Sequence, residues 1–151
     1  NRPGVQGYGY FAGKKAQEET ARRLSPALTI VRTTQWFEFG AQALRRNRLG
    51  PLGFVPGMRI KPIALEAAAR VLAETASGKR DGDLVEVAGP EEMTLWQLVR
   101  RTPKPRGVLP TPVFLPTGFG RAFRRGALLP DPGVEETGPG LEDWLNRADP
   151  S

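Results

Sequence analysis

Residues 27–32 have the sequence ALTIVR, and residues 33–39 continue as TTQWFEF. The first segment is short and apolar and holds three β-branched residues in succession, which is typical of a buried strand. Apolar residues at helical spacing from 8 to 24 precede it, and Pro26 separates the two elements. The order therefore predicts a helix that leads into a buried strand, the repeating step of an α/β fold.

The rest of the chain continues this alternation. Further helices are predicted over 36–47, 64–76, 94–101, 119–128 and 140–148, and further strands over 53–55, 58–61 and 83–88. Residues 102–118 hold five prolines and are predicted to be extended loop. The pattern favours a parallel sheet, but only one or two strands are fully apolar, so the sheet needs more strands than this chain supplies by itself.

The composition excludes several kinds of site. The 151 residues include no Cys and no His, which rules out disulfides, thiolate nucleophiles, Ser-His-Asp triads and His- or Cys-ligated metals. A hydrophobic fraction of 39% with three Trp and seven Phe is enough for a core. Because no apolar run approaches the roughly 18 residues of a membrane span and no secretory leader opens the sequence, we expect a cytoplasmic protein with no membrane partner.

The positive charge is spread along the chain. Lys and Arg number 22 against 16 Asp and Glu, a net charge of +6. Arginine pairs occur at 22/23, 45/46, 100/101 and 124/125. Dispersed pairs without a binding motif favour solvated faces and helix ends. Nucleic acid is therefore not the expected partner; a phosphate-bearing ligand and, more distantly, a small basic nucleic-acid-binding module are the alternatives.

Tyr10 and Lys14 form a Tyr-x-x-x-Lys pair in the first predicted helix. A spacing of four residues places both side chains on one helix face. A phenol with an ordinary pKa near 10 is a poor acid–base group at neutral pH, and a neighbouring ammonium group lowers that pKa. The pair therefore has the chemistry to exchange a proton with a carbonyl oxygen. An ordinary surface pair is the alternative.

The segments 8–19 and 27–39 together resemble the NmrA-like, NAD(P)H-binding branch of the atypical short-chain dehydrogenases/reductases. That family has Tyr-x-x-x-Lys-x-x-x-Glu on a helix, then a strand ending in Ile-x-Arg, then an aromatic-rich loop. Later blocks at 54–63, 67–72 and 87–91 are similar to the family in the same order, as is 125–145. The resemblance covers nearly the whole chain but only the C-terminal part of the family's fold.

The resemblance implies a doubly wound, Rossmann-like parallel sheet with a small α+β substrate-binding lobe. Residues 1–50 would supply the catalytic helix, a sheet strand and the following helix, and residues 51–151 the lobe and C-terminal segment of one incomplete domain. The N-terminal βαβ half, which carries the glycine fingerprint, would be a missing partner. The sequence departs from the family's pattern at 101–105, where the family leads us to expect a longer helix. This departure affects the shape of the lobe.

The resemblance also implies roles in a catalytic helix. Tyr10 would donate or accept the proton, and Lys14 would bind the nicotinamide ribose and tune Tyr10. Glu18 would be a helix-face partner of Lys14, or equally a plain exposed ion pair. Arg32 satisfies helix carbonyls or contacts a phosphate.

Residues just beyond the predicted strand occupy the position at which open α/β sheets bind ligands. Thr33, Thr34 and Gln35 are therefore candidates to meet the nicotinamide end of NAD or NADP. Trp36 and Phe37 would line the substrate pocket, or alternatively pack a helix onto the sheet. Two further tryptophans, at 96 and 144, are expected to pack in the core or the lobe.

The implied function is hydride transfer between NAD(P)H and a carbonyl-type small molecule. It requires the N-terminal half, so the chain alone is expected to be inactive. A non-enzymatic NAD(P)-sensing regulator of the NmrA type is the alternative.

Overall fold

A computed structural model describes residues 9–25 and 27–148. The helices are α1 (Gly9–Leu24), α2 (Phe39–Arg46), α3 (Leu65–Ala76), α4 (Leu95–Arg101), α5 (Gly118–Arg124) and α6 (Leu141–Ala148). The strands are β1 (Ile30–Thr33), β2 (Arg48–Leu49), β3 (Leu52–Pro56), β4 (Arg59–Ile60), β5 (Leu84–Ala88), β6 (Met93–Thr94), β7 (Leu109–Val113) and β8 (Glu135–Glu136).

The strands β1, β5 and β8 form a parallel sheet with β5 in the centre. Ile30 lies opposite Leu84 and Thr33 opposite Val87 along the β1–β5 pair. A helix precedes β1 and another precedes β5, as expected for parallel strands that need crossover connections. The mixed α/β character and the parallel pairing confirm the coarse fold class that the sequence predicts.

A second sheet has the order β2-β3-β7. Strand β3 is antiparallel to β2 and parallel to β7, and helices α2 and α4 pack against it. Two strand pairs join the predicted segments 1–50 and 51–151. They are β2 with β3, which form a hairpin around residue 50, and β1 with β5. The short strands β4 and β6 form a separate antiparallel pair.

The core lies between these sheets and the helices. Its largest fully buried side chains come from α2, β4, α4 and α6 and from the loops beside them: Phe37, Leu44, Ile60, Ile63, Leu95, Leu98 and Leu141. Burying each such side chain stabilises the folded state by about 1.5–3 kcal/mol relative to leaving it exposed. Trp96 and Trp144 are partly buried and pack against this core, as the sequence predicts.

Local sequence signals account for the ends of α3 and α4. The Thr94 hydroxyl accepts a hydrogen bond from the Gln97 backbone N–H, and the Gln97 side chain accepts one from the Thr94 N–H, which makes a capping box. Gly78, with φ 73°, follows the end of α3 and adopts the left-handed conformation that favours glycine. Both helix ends lie where the sequence places them.

The prediction of extended loop over 102–118 is wrong for β7. Pro110 and Pro112 are two of its five residues, and a proline has no N–H for a strand ladder. The Leu109 N–H donates to the Pro51 carbonyl, so the backbone N–H groups of alternate β7 residues point to β3. The backbone nitrogens of the two prolines point away from β3. The strand tolerates them because it lies at the edge of the sheet.

Three other boundaries differ by several residues from the predictions, and the two-residue strands β2, β6 and β8 were not predicted. Strand β1 begins at Ile30 rather than at residue 27, and α5 ends at Arg124 rather than at 128. Helix α2 begins at Phe39 because Trp36 instead forms a parallel bridge with Ile63. Strand β8 was not predicted, since its two glutamates carry no apolar signal.

Gly89 lies where the end of β5 meets the segment after β4. A Cβ atom at this position would stand 1.6 Å from the Pro62 carbonyl oxygen and 2.4 Å from its carbon. Both atoms belong to the backbone, so the clash is relieved only by separating the two segments. The absence of a side chain at Gly89 is therefore required for this contact.

We predict that Gly89→Ala destabilises the chain by at least about 2 kcal/mol, because overpacking against backbone forces the segments apart. The thermal unfolding midpoint measures the effect. Gly118→Ala is the matched control, since a Cβ there meets no atom within 4 Å. Equal midpoints for the two variants would contradict the prediction.

Candidate functional site

The carboxyl ends of β1 and β5 meet at one edge of the parallel sheet, which we call the carboxyl edge (residues 33–36 and 88–90). Thr34 joins its parts. Its N–H donates to the Val87 carbonyl at 3.2 Å, and its hydroxyl donates to the Lys61 carbonyl at 2.6 Å. The hydroxyl also accepts from the Gly89 N–H at 3.4 Å. The hydroxyl proton of Thr34 is thus used in a hydrogen bond within the fold, whereas its oxygen can accept one more hydrogen bond.

Thr33 and Trp36 lie side by side at this edge. The indole Nε1 of Trp36 donates to the Thr33 hydroxyl at 3.3 Å. A hydroxyl that accepts one hydrogen bond keeps its own proton available for another acceptor. The Trp36 side chain is 42% exposed, so its ring is accessible from solvent.

Gln35 and Glu38 carry buried oxygen atoms without a partner. Neither the Gln35 Oε1 atom nor the Glu38 Oε2 atom has a hydrogen bond within the part of the chain that the structure describes. The Gln35 backbone carbonyl is satisfied, since it accepts from the Ile63 N–H at 2.8 Å. A buried acceptor without a donor is costly, and such groups mark places where a donor can be supplied from outside. Sequence reasoning named Gln35 and missed Glu38.

Phe37 does not share the exposure of its neighbour Trp36. It is 1% exposed, and its ring centroid lies 5.0 Å from that of Trp144 in a tilted arrangement. Its N–H donates to the Ile63 carbonyl at 3.3 Å. Phe37 therefore packs α6 onto the body of the fold, which matches the packing alternative, and Trp36 alone of the two offers its ring to solvent.

Tyr10 and Lys14 lie in α1, one turn apart, but their side chains are outside the described part of the structure. The position of α1 is fixed further along by Glu18. Its carboxylate accepts two hydrogen bonds from Arg32 in β1, and Arg32 also donates to Glu86 in β5 at 2.9 Å. Arg32 therefore joins α1, β1 and β5 through carboxylates.

The guanidinium of Arg32 is held in the charged form. The hydrogen bonds that it donates to Glu18 and then to Glu86 raise its pKa, and burial opposes them more weakly. Charge-assisted bonds of this kind are shorter and stronger than neutral ones, although partial exposure limits their net worth. Glu86 as a partner follows from the parallel register, which places it directly opposite Arg32.

A cleft of about 630 Å³ lies away from the carboxyl edge, towards the start of β5. It is lined by charged residues that include Arg80, Asp81, Glu86 and Glu135. Arg80 donates to Glu74 at 2.7 Å and makes two bonds to Glu135 at 2.7 and 3.0 Å. The guanidinium is thus already neutralised, and the cleft does not contain the residues that the sequence singles out.

Comparison with known proteins finds no matching family model, no matching curated protein and no matching solved structure. Among the described residues, no group of three or more carboxylates is arranged to hold a metal ion. Within the same residues, every helix is too short or too polar to cross a membrane.

We predict that Arg32→Gln speeds amide hydrogen exchange in α1 about fivefold, because each exposed ion pair that it removes contributes up to about 1 kcal/mol. Exchange in the middle of β5 stays unchanged, since its ladder does not depend on the side chain. Arg70→Gln is the control, because Arg70 is exposed on α3 and has no ion pair with a described residue. Unchanged exchange in α1 would show that Arg32 does not hold the helix.

The Arg80–Glu135 pair predicts a pH dependence of stability. Hydrogen bonds from Arg80 lower the pKa of Glu135 below its ordinary value of 4.5. A carboxyl whose pKa is lower in the folded state stabilises the fold above its unfolded pKa, and that contribution disappears as pH falls through the folded pKa.

Glu135→Gln is therefore expected to lower the thermal midpoint at neutral pH and to match the unsubstituted chain in acid, below the lowered pKa. Asp81→Asn is the control, since Asp81 lines the same cleft and its side chain makes no hydrogen bond to another described residue. A midpoint difference for Glu135→Gln that is the same at every pH would contradict the linkage.

Proposed function

We propose that this chain forms the C-terminal part of an NAD(P)-binding oxidoreductase-like domain. In this proposal the carboxyl edge faces the nicotinamide, and α1 carries the acid–base pair Tyr10 and Lys14. The observation that supports it most is the succession of Thr33, Thr34 and Gln35 at the carboxyl end of β1, beside the end of the parallel strand β5. Open α/β sheets bind their ligands at such ends.

The path of α1 brings its first turns towards the same edge. Glu18 contacts Arg32 near the middle of β1, and the helix ends at Leu24 shortly before β1 begins, so helix and strand run in opposite directions. At about 1.5 Å per residue, Lys14 and Tyr10 stand roughly 6 and 12 Å beyond Glu18 along the helix. Thr33 to Gln35 extend from Arg32 in the same direction at about 3.3 Å per residue.

The unpartnered oxygen of Gln35 fits a nicotinamide group. A carboxamide –NH₂ is a donor of the kind that the buried Gln35 Oε1 atom lacks. The Thr33 hydroxyl keeps a proton to donate, and the Thr34 oxygen remains an acceptor. The side chains at this end of β1 therefore include both donors and acceptors.

Tyr10 and Lys14 supply the proton chemistry in this proposal. The cofactor, when bound, supplies the hydride that adds to the carbonyl carbon of the substrate. The Tyr10 phenol gives its proton to the carbonyl oxygen, so that an alcohol is formed and the phenolate is left. Lys14, one turn along α1, stabilises that phenolate through its positive charge.

One edge of β1 can pair with a further strand. Ile30 and Thr34 direct their N–H groups to β5, so the N–H groups of Val31 and Thr33 point to the other side. No strand among the described residues lies there. We assign this edge to the N-terminal half of the fold, which would bring the cofactor's phosphate-binding loop beside the carboxyl edge.

A dinucleotide sensor is the second candidate, and the burial of Phe37 favours it. Only Trp36 of the aromatic pair is accessible, which leaves little side-chain lining for a substrate at this position. A sensor would bind NAD(P)H at the same edge without transferring hydride.

We predict for the full-length protein that Tyr10→Phe lowers carbonyl reduction at least about 100-fold, the range of a lost general acid. The NAD(P)H dissociation constant changes less than twofold, because the hydroxyl acts on substrate. Gln35→Ala is expected to weaken cofactor binding instead.

NADH or NADPH fluorescence titration and single-turnover absorbance measure the two effects. Unchanged turnover in Tyr10→Phe would overturn the catalytic role, and binding without turnover in the unsubstituted protein would identify the sensor. Absence of NAD(P)H binding would overturn both candidates.

A further inference from the structure

The charges of this chain are strongly segregated along the sequence. Segments 39–65 and 93–130 contain no Asp or Glu, yet they hold 12 of the 22 basic residues. The remaining 86 residues carry 10 basic and 16 acidic residues. The net charge of +6 is therefore the sum of +12 in two segments and −6 elsewhere.

The fold joins the two basic segments into one body. Strand β3 of the first pairs along its whole length with β7 of the second, and α2 packs against α4. Three of the 12 cations are neutralised by carboxylates from elsewhere: Arg59 by Glu92, Lys61 by Glu136 and Arg101 by Glu142. The other nine have no ion pair with any described residue, and eight of them are arginines.

Four of these arginines surround one end of the β2-β3-β7 sheet. Arg45 and Arg46 form the last turn of α2, Arg48 begins β2, and Arg106 lies two residues before Val108. Val108 and Leu44 both face Gly53 of β3, which brings the loop before β7 beside the end of α2. We call these four residues the arginine tip.

An apolar row crosses the same end of the sheet. Leu49 lies opposite Leu52, and Leu52 lies opposite Leu109, so the three side chains share one face. Gly53 and Val55 point to the other face, which α2 and α4 cover. Leu49 is 72% exposed and Leu109 is 63% exposed. We call these three residues the leucine row.

We propose that this end of the sheet, with the leucine row on one face and the arginine tip beside the other, docks edge-on onto an anionic phospholipid surface. The acyl-chain boundary accepts exposed leucines, and arginine forks match headgroup phosphates and carboxylates. A nucleic acid would satisfy the arginines and leave the leucines in water. A second copy of the chain would bring like charges together.

This inference concerns attachment to a membrane surface, and it is independent of the proposed function. The expectation of no membrane partner rests on the lack of a spanning segment, which an interfacial site does not need. Basic residues near an anionic surface and buried apolar side chains act additively in such binding, so each contribution can be removed separately.

Vesicle co-sedimentation of the 151-residue chain tests the proposal. We expect binding to phosphatidylcholine vesicles that contain about 30% phosphatidylserine, and at least about tenfold weaker binding to phosphatidylcholine alone. Raising the salt concentration weakens the binding, since exposed charges are screened. Two multiple variants are each expected to bind anionic vesicles at least about tenfold more weakly than the unsubstituted chain. The leucine variant combines Leu49→Ala with Leu109→Ala, and the arginine variant combines Arg45→Gln, Arg46→Gln and Arg106→Gln.

The matched control is Arg70→Gln with Leu72→Ala on α3, where an exposed arginine and a 58% exposed leucine lie outside the two basic segments. It is expected to bind vesicles like the unsubstituted chain. Circular dichroism spectra and melting curves establish that each variant is folded.

Failure of the folded, unsubstituted chain to bind anionic vesicles would overturn the proposal. So would equal binding by the leucine variant, because charge alone would then suffice. Tighter binding to duplex DNA than to vesicles, unaffected by the leucine substitutions, would assign the arginine tip to nucleic acid instead.

Discussion

The arrangement of this fold depends on one close backbone contact at the ends of β1 and β5. The backbone of Gly89 passes against the Pro62 carbonyl with no room for a side chain, and the Thr34 hydroxyl joins the two segments from β1. This contact holds the segment after β4 beside the sheet, where Ile63 pairs with Trp36. The positions of Gln35 and Trp36 at the carboxyl edge therefore follow from a contact between backbones that the Thr34 hydroxyl reinforces.

Elements whose signals are local could be predicted from the sequence. Helix α3 has a repeated apolar stripe and a glycine stop, and α4 has both halves of a capping box within four residues. Strands β7 and β8 could not be predicted, because their stability comes from partners far along the chain. In β7 the prolines are harmless only because they face away from β3, and β8 is a strand only because β5 lies beside it.

The same distinction applies to the candidate site. Thr33 to Gln35 follow directly from where a buried strand ends, so the sequence places them correctly at the carboxyl edge. The burial of Phe37 depends on its contact with Trp144, which lies far along the chain. No local pattern predicts that contact. Arg32 is similar, since its partners Glu18 and Glu86 come from a preceding helix and from a strand whose register only the fold determines.

Helix α2 connects the two surfaces to which we assign binding. It begins at Phe39, directly after the carboxyl edge, and ends with Arg45 and Arg46 of the arginine tip. Eight residues at 1.5 Å each separate these ends by about 12 Å. Because α2 is packed against β3 and α4, the separation is rigid. In our two proposals the carboxyl edge and the docked end of the sheet share no residue, so that a dinucleotide and a membrane surface do not compete for the same side chains.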